Sequence, residues 1–164
     1  MSMSAANDSK PRRDNYGVAP ILSLLVIDFG LVSTGGKEMT IQRIGSTEGL
    51  KDVFGVKVLP VISLAVVHNG IVSTCGVTAE PTGDVKVQTK KVLASIDGLL
   101  EKAGTSKAKL LTAYVWLADM QDFEEHNSIW NEWVDRQNPP VRFCVQSPLW
   151  RPNILVEIMV TAAQ

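Results

Sequence analysis

NPPVRFCVQSPLWRPNILVEIMVTAA, residues Asn138–Ala163, reads as two short β-strands joined by a proline-containing loop. Side chains alternate between the faces of a strand, so Val141, Phe143 and Val145 share one face and Arg142, Cys144 and Gln146 the other. In the second strand Val156, Ile158 and Val160 are set against Leu155, Glu157 and Met159. Each strand therefore holds one charged residue among apolar neighbours, where a charge is costly to bury without a partner or a ligand. Two readings stand. Antiparallel pairing with Gln146 opposite Asn153 would put Arg142 opposite Glu157, as an ion pair within the sheet. Alternatively, Arg142 offers its planar fork of donors to a carboxylate, and Glu157 accepts hydrogen bonds and holds a water.

Upstream, Leu110–Ala118 is apolar on both faces. Such a strand suits helices on one side and another subunit or a ligand cavity on the other. Asp119–Gln121 turns the chain. Asp122, with Glu125 three residues on, forms a capping-box-like start for a helix in which Phe123, His126, Trp130, Trp133 and Val134 share a face. The acidic cluster Asp119, Asp122, Glu124 and Glu125 is better explained by capping and helix-dipole placement than by a metal. The tryptophans read as core or subunit-contact residues rather than a stacking platform for bases.

Earlier still, Asp84 is placed to cap a helix whose Val92, Ile96, Leu99, Leu100 and Ala103 form one apolar stripe, with Gly104 as its stop. Lys90, Lys91, Glu101 and Lys102 lie off that stripe. Ser63–Val67 and Ile71–Cys75 flank His68-Asn69-Gly70, a strong hairpin signal that makes His68 a turn residue. Thr40–Ile44 is a candidate first strand and Gly45–Pro60 a surface loop. The alternation of elements predicts a two-layer α/β domain, one sheet with two helices on one face.

The 164 residues suit one domain, and a net charge of −1 with mixed signs lacks the basic footprint of a nucleic-acid binder. Cys75 and Cys144 have no metal-like spacing and form no disulfide framework, so a reducing, cytoplasmic setting is expected. No apolar run is long enough to span a bilayer. Residues 1–38 fall outside the pattern. A basic segment, the apolar run Val18–Ile27 and small residues superficially resemble a signal peptide, but Asp8, Asp14 and the lack of a clean cleavage site speak against an address. The expectation is an N-terminal extension over 1–38, partly disordered or loosely packed, and a domain over 39–164.

P-x-R-x-C-V-x, a loop, then V-E-I closely resembles the C-terminal signature of the Rid family, the reactive intermediate deaminases also called the YjgF family. VHNGIVSTCG at Val67–Gly76, the helix Asp84–Gly104 and LLTAYVWLADMQDFEEHNSIWNEWV at Leu110–Val134 extend the likeness, in family order, from about Met39 to Ala163. The wording is nearest the YoaB-like branch, with MTI-x-RI at the start and PVR-x-x-VQ at the end.

The resemblance implies a chorismate-mutase-like, ferredoxin-related domain that assembles as a homotrimer, with clefts for a small carboxylate substrate between subunits. It implies hydrolysis of 2-imino acids and enamines to 2-oxo acids and ammonia, as in a 2-iminobutanoate/2-iminopropanoate deaminase, without cofactor or metal. Arg142 then anchors the carboxylate and Glu157 helps position the attacking water. Cys144 lines the site through its backbone, Gly76 allows close approach, and Asn127 helps shape the pocket. Cys75 stands where the deaminase branch has serine, and Ile62 about where it has tyrosine, so a different imino acid or a weaker activity would follow. The rival readings are a non-catalytic module for 2-oxo acids and, third, an endoribonuclease or translation inhibitor.

Overall fold

The computed structural model describes residues 40–48 and 56–164. The expected extension over 1–38, the start at Met39 and residues 49–55 of the expected loop lie outside the described residues. Strands β1 (Gln42–Ser46), β2 (Ser63–His68), β3 (Ile71–Thr74) and β4 (Val77–Thr78) precede helix α1 (Val85–Lys102). Then come β5 (Leu110–Leu117), helix α2 (Phe123–Trp133), β6 (Val141–Gln146) and β7 (Val156–Ala163).

The local chemistry explains most of these boundaries. Asn69 and Gly70 sit at φ 52° and 73°, the left-handed pair that a two-residue hairpin turn requires. Asp84 caps α1 by accepting from the Val87 N–H at 2.9 Å. Val92, Leu93, Ile96, Leu99 and Leu100 are buried along one face of α1, whereas Lys90, Lys91, Glu101 and Lys102 are exposed. The start of α2 differs from expectation. Asp119, not Asp122, accepts a capping bond, from the Gln121 N–H at 2.9 Å, and opens a short 3₁₀ turn over Met120–Asp122. Asp122 already has near-helical dihedrals at the end of that turn, and its side chain makes no cap.

The strands form one mixed sheet in the order β1-β2-β3-β7-β5-β6, with β4 also paired to β7. All pairs are antiparallel except β5 with β6. The reading in which the two C-terminal strands pair directly, with Arg142 opposite Glu157, is therefore overturned. β7 pairs with β5, β5 lies between β7 and β6, and Arg142 registers with Ala113 rather than with Glu157. The segment β5-α2-β6 is a crossover unit, and a strand that returns through a helix lies parallel to the one before it.

Both helices cover one face of the sheet. Val67, Val72, Val115, Leu117, Val156, Ile158 and Val160 point into that layer and form a continuous core with the apolar face of α1. The opposite face holds Tyr114, Trp116 and Phe143, with Phe143 edge-on to Tyr114 at 4.8 Å between ring centroids. No described helix is long and apolar enough to cross a membrane.

Candidate functional site

Arg142 lies on the helix-covered face. Its guanidinium stacks on the ring of Trp130 of α2, with Cζ 4.9 Å from the ring centroid. Burial draws its pKa down from the ordinary value, though a guanidinium remains charged in such settings. Nε and Nη2 are buried without a hydrogen-bond partner. Cys144, two residues along β6, shares this face and packs against the core. Its thiol is pushed up by burial, an effect that the charge of Arg142 opposes.

α2 brings two further polar groups to the same region. Asn127 keeps its Oδ1 buried and unpartnered. His126 is fully buried. Its Nδ1 lies 3.1 Å from the Thr89 hydroxyl of α1, and its Nε2 has no partner. Burial and the nearby charge of Arg142 lower the pKa of His126 to about 4, so the ring is neutral at physiological pH.

Glu157 lies on the other face of the sheet. It registers with Trp116 of β5 and Thr78 of β4. Burial raises its carboxyl above the usual range. Among the described residues the one ion pair is Lys86–Glu125 at 3.3 Å. Arg142 and Glu157 are therefore not an ion pair within the sheet, and each is a half-buried ionisable group without a charged partner among those residues.

The segment from β3 to β4 passes directly against Glu157. A β-carbon on Gly76 would collide with the Glu157 carboxylate. This glycine makes room for a side chain of its own chain, a more specific reason than the expected approach to a ligand. Cys75 is next to it. Desolvation raises the Cys75 thiol, and the charge of Glu157 adds to the effect. Neither cysteine is drawn toward a thiolate, the state a nucleophilic thiol requires. Ile62, Thr47, Leu64, Cys75, Gly76, Thr78 and Leu99 line a cavity of about 300 Å³. The indole N–H of Trp150, on the loop between β6 and β7, reaches the Thr78 hydroxyl at 3.4 Å.

The sequence-predicted site residues thus fall into two groups. Arg142 and Cys144 lie beneath α2, with Asn127 on that helix. Glu157, Gly76 and Cys75 lie together at the β4–β7 junction, with Ile62 across the cavity. One chain does not bring the two charged residues onto one face. Sequence reasoning missed Thr89 and Trp150 as neighbours of the site, and placed His126 only in an apolar stripe. The signal for His126 was a polar residue at a core position of an amphipathic helix, which needs a partner when buried. A second hollow of about 280 Å³, lined by Lys90, Asp97, Lys107 and Trp133 among others, contains none of the predicted residues.

Residues 60–164 match the family model described as Endoribonuclease L-PSP. A RutC family protein of Haemophilus influenzae is 48% identical over 75 residues, 46% of this chain and 65% of that protein. The RutC family protein YoaB of Escherichia coli is 42% identical over 88 residues, 54% of this chain and 77% of its own length. Among solved structures, a YjgF-family protein from Neisseria meningitidis superposes with a TM-score of 0.67 at 36% identity, covering 77% of this chain and 96% of that one.

Proposed function

The chain belongs to the Endoribonuclease L-PSP family, also called the YjgF or Rid family, and from that premise we propose that it hydrolyses reactive 2-imino acids and their enamines to 2-oxo acids and ammonia. The observation that carries this reading is Arg142, a cation held over Trp130 with two buried donors unpartnered. A fixed, always-charged guanidinium is suited to a carboxylate in bidentate geometry.

Glu157 supplies the second function. A carboxyl with a raised pKa gives up and takes back a proton near neutral pH more readily than an ordinary one. It orients a water against the imine carbon and accepts a proton as the C–O bond forms. With the imine bound in its protonated, iminium form, the C=N electron pair moves to nitrogen and gives a neutral carbinolamine. Glu157 returns its proton to the amine and then takes the hydroxyl proton as the C–N bond breaks with its electron pair leaving on nitrogen. This releases ammonia and the 2-oxo acid, and the proton on Glu157 passes to water. Positioned acid–base assistance of this kind contributes roughly 10²–10⁴-fold. Asn127 and the backbone at Cys144 shape the carboxylate end. Gly76 and Cys75 shape the water end.

Because Arg142 and Glu157 lie on opposite faces of one sheet, the complete site is formed between subunits. Arg142 of one copy faces Glu157 of the next, in a closed homotrimer. The uncovered aromatic face and the exposed Val141, Phe143 and Val145 support such an assembly. Ile62 in place of tyrosine favours a substrate other than the commonest small imines. It also keeps alive the reading of a non-catalytic 2-oxo acid binding module.

The test generates 2-imino acids in situ with an amino-acid oxidase and follows their loss against a semicarbazide trap. Wild type should accelerate hydrolysis, and Arg142→Ala should lose about 100-fold or more in kcat/KM while remaining folded. Equal turnover by the variant removes Arg142 from the mechanism. Ligand binding that depends on Arg142, with no turnover of any imine, moves the function to the binding module.

A further inference from the structure

Arg142 stands on β6, an edge strand that pairs with β5 alone. Backbone pairing fixes its Cα but not the guanidinium at the end of a long side chain, whose ordering costs rotamer entropy. The surface that places the guanidinium belongs to α2, where Cζ lies 4.9 Å from the Trp130 ring centroid. Stacking on a ring consumes none of the N–H donors, and Nε and Nη2 remain without a partner.

Trp130 is held in its turn. Trp133 follows it by three residues on the same helix face, with ring centroids 5.3 Å apart and planes tilted by 57°. Two other elements grip Trp133. Its indole N–H donates to Asp97 Oδ2 of α1 at 2.9 Å, and Lys107 Nζ, from the turn before β5, lies 5.5 Å from its ring centroid. An indole has no second hydrogen-bonding group, so the charge-assisted bond to Asp97 fixes the rotation of the ring. Asp97, Trp133, Trp130 and Arg142 thus form an unbroken run of contacts from α1 through α2 to β6. Asp97 and Trp133 line the second hollow, not the cavity beside Gly76.

We propose that Asp97 and Trp133 are positioning residues for Arg142: the Asp97 carboxylate fixes the ring of Trp133, Trp133 sets the plane of Trp130, and Trp130 presents the guanidinium with its donors free for a carboxylate. The effect on ligands rests on the reading of Arg142 as the carboxylate anchor. The placement of the side chain does not.

Two measurements test this, with circular dichroism as the check on folding. The first is the ¹H shift of the Arg142 side chain without ligand, assigned by its loss in Arg142→Ala. Ring current from Trp130 moves it upfield in wild type. Asp97→Ala should return it toward the value of an arginine away from any ring, and Asp97→Asn, which keeps an acceptor oxygen, should hold it. The second is affinity for pyruvate, as a probe 2-oxo acid. Asp97→Ala should bind about fivefold more weakly, the share of a stacked cation, and Asp97→Asn near wild type. If Asp97→Ala does not fold, Trp133→Phe takes its place, since it keeps a ring and loses only the bond to Asp97. An Arg142 shift that does not move overturns the proposal. So does a moved shift with unchanged affinity, where Arg142→Ala has lost binding. If wild type and Arg142→Ala bind pyruvate equally poorly, the anchor reading fails, and the ligand-free shifts still decide whether Asp97 places Arg142.

Discussion

Glycine at position 76 is required by one neighbour. Any β-carbon there would collide with the Glu157 carboxylate, while the glycine itself needs no left-handed backbone. The atoms that must yield are at the flexible end of a side chain, so the fold tolerates alanine better than the site does. Gly76→Ala should leave the melting temperature within a few degrees of wild type and reduce kcat by at least about tenfold. A variant with unchanged kcat would separate the position of this carboxylate from turnover. The carboxyl itself gives a pH signature. Its native pKa is raised by burial, so the folded state holds the proton to higher pH than the unfolded chain. Its contribution is fully present below the ordinary carboxylate pKa and is lost as pH rises through the raised native value. Glu157→Gln should therefore gain stability relative to wild type at pH 8 and gain little at pH 4, as read by urea denaturation at the two values. Equal differences at both would show that burial of the charge costs nothing.

Among the elements, α1 holds the loop before β7 through Gln88, a polar residue at the margin of its apolar stripe. Gln88 is fully buried. It donates to the Asn153 carbonyl at 2.8 Å and accepts from the Leu155 N–H at 2.9 Å, clamping the loop that leads into β7 and Glu157. Gln88→Leu strands both backbone groups and should cost about 2–4 kcal/mol of unfolding free energy. A cost under 1 kcal/mol would mean that the loop is held elsewhere. This clamp was not legible beforehand, because the helix-face pattern places residue 88 beside the apolar stripe without identifying its partner. Much else was legible. The Asn69-Gly70 turn, the Asp84 cap, the apolar stripe of α1 and the alternation in the two C-terminal strands all follow from local chemistry. The pairing of those strands did not follow. Alternation sets which residues share a face but says nothing of which strand lies alongside. The information lay in the intervening helix, since β5-α2-β6 is a crossover that makes β6 parallel to β5. For the site, motif resemblance gathered Arg142, Glu157, Cys144, Gly76, Cys75 and Asn127. Only the register revealed that they divide between two faces.

That division determines what the whole molecule must do. Within one chain Arg142 stacks under α2 and Glu157 registers with Trp116 on the uncovered face, so no side-chain motion brings both to one small substrate. A site that uses both must borrow one of them from a neighbouring copy, and cyclic symmetry repeats the arrangement at every interface. The inactive variants Arg142→Ala and Glu157→Gln then become complementary. Each retains the half that the other lacks. Denatured together in equal amounts and refolded, they should recover activity that neither shows alone. With random assembly, a site is intact when its arginine comes from a Glu157→Gln subunit and its glutamate from an Arg142→Ala subunit. Each condition is met half the time, so about a quarter of wild-type activity is expected. The variants mixed without denaturation serve as the control, since subunits that do not exchange cannot complement. Recovery near a quarter supports a shared site. No recovery from refolded oligomers that contain both variants means that the two residues do not act on one substrate, and Arg142 alone would remain as a binding anchor.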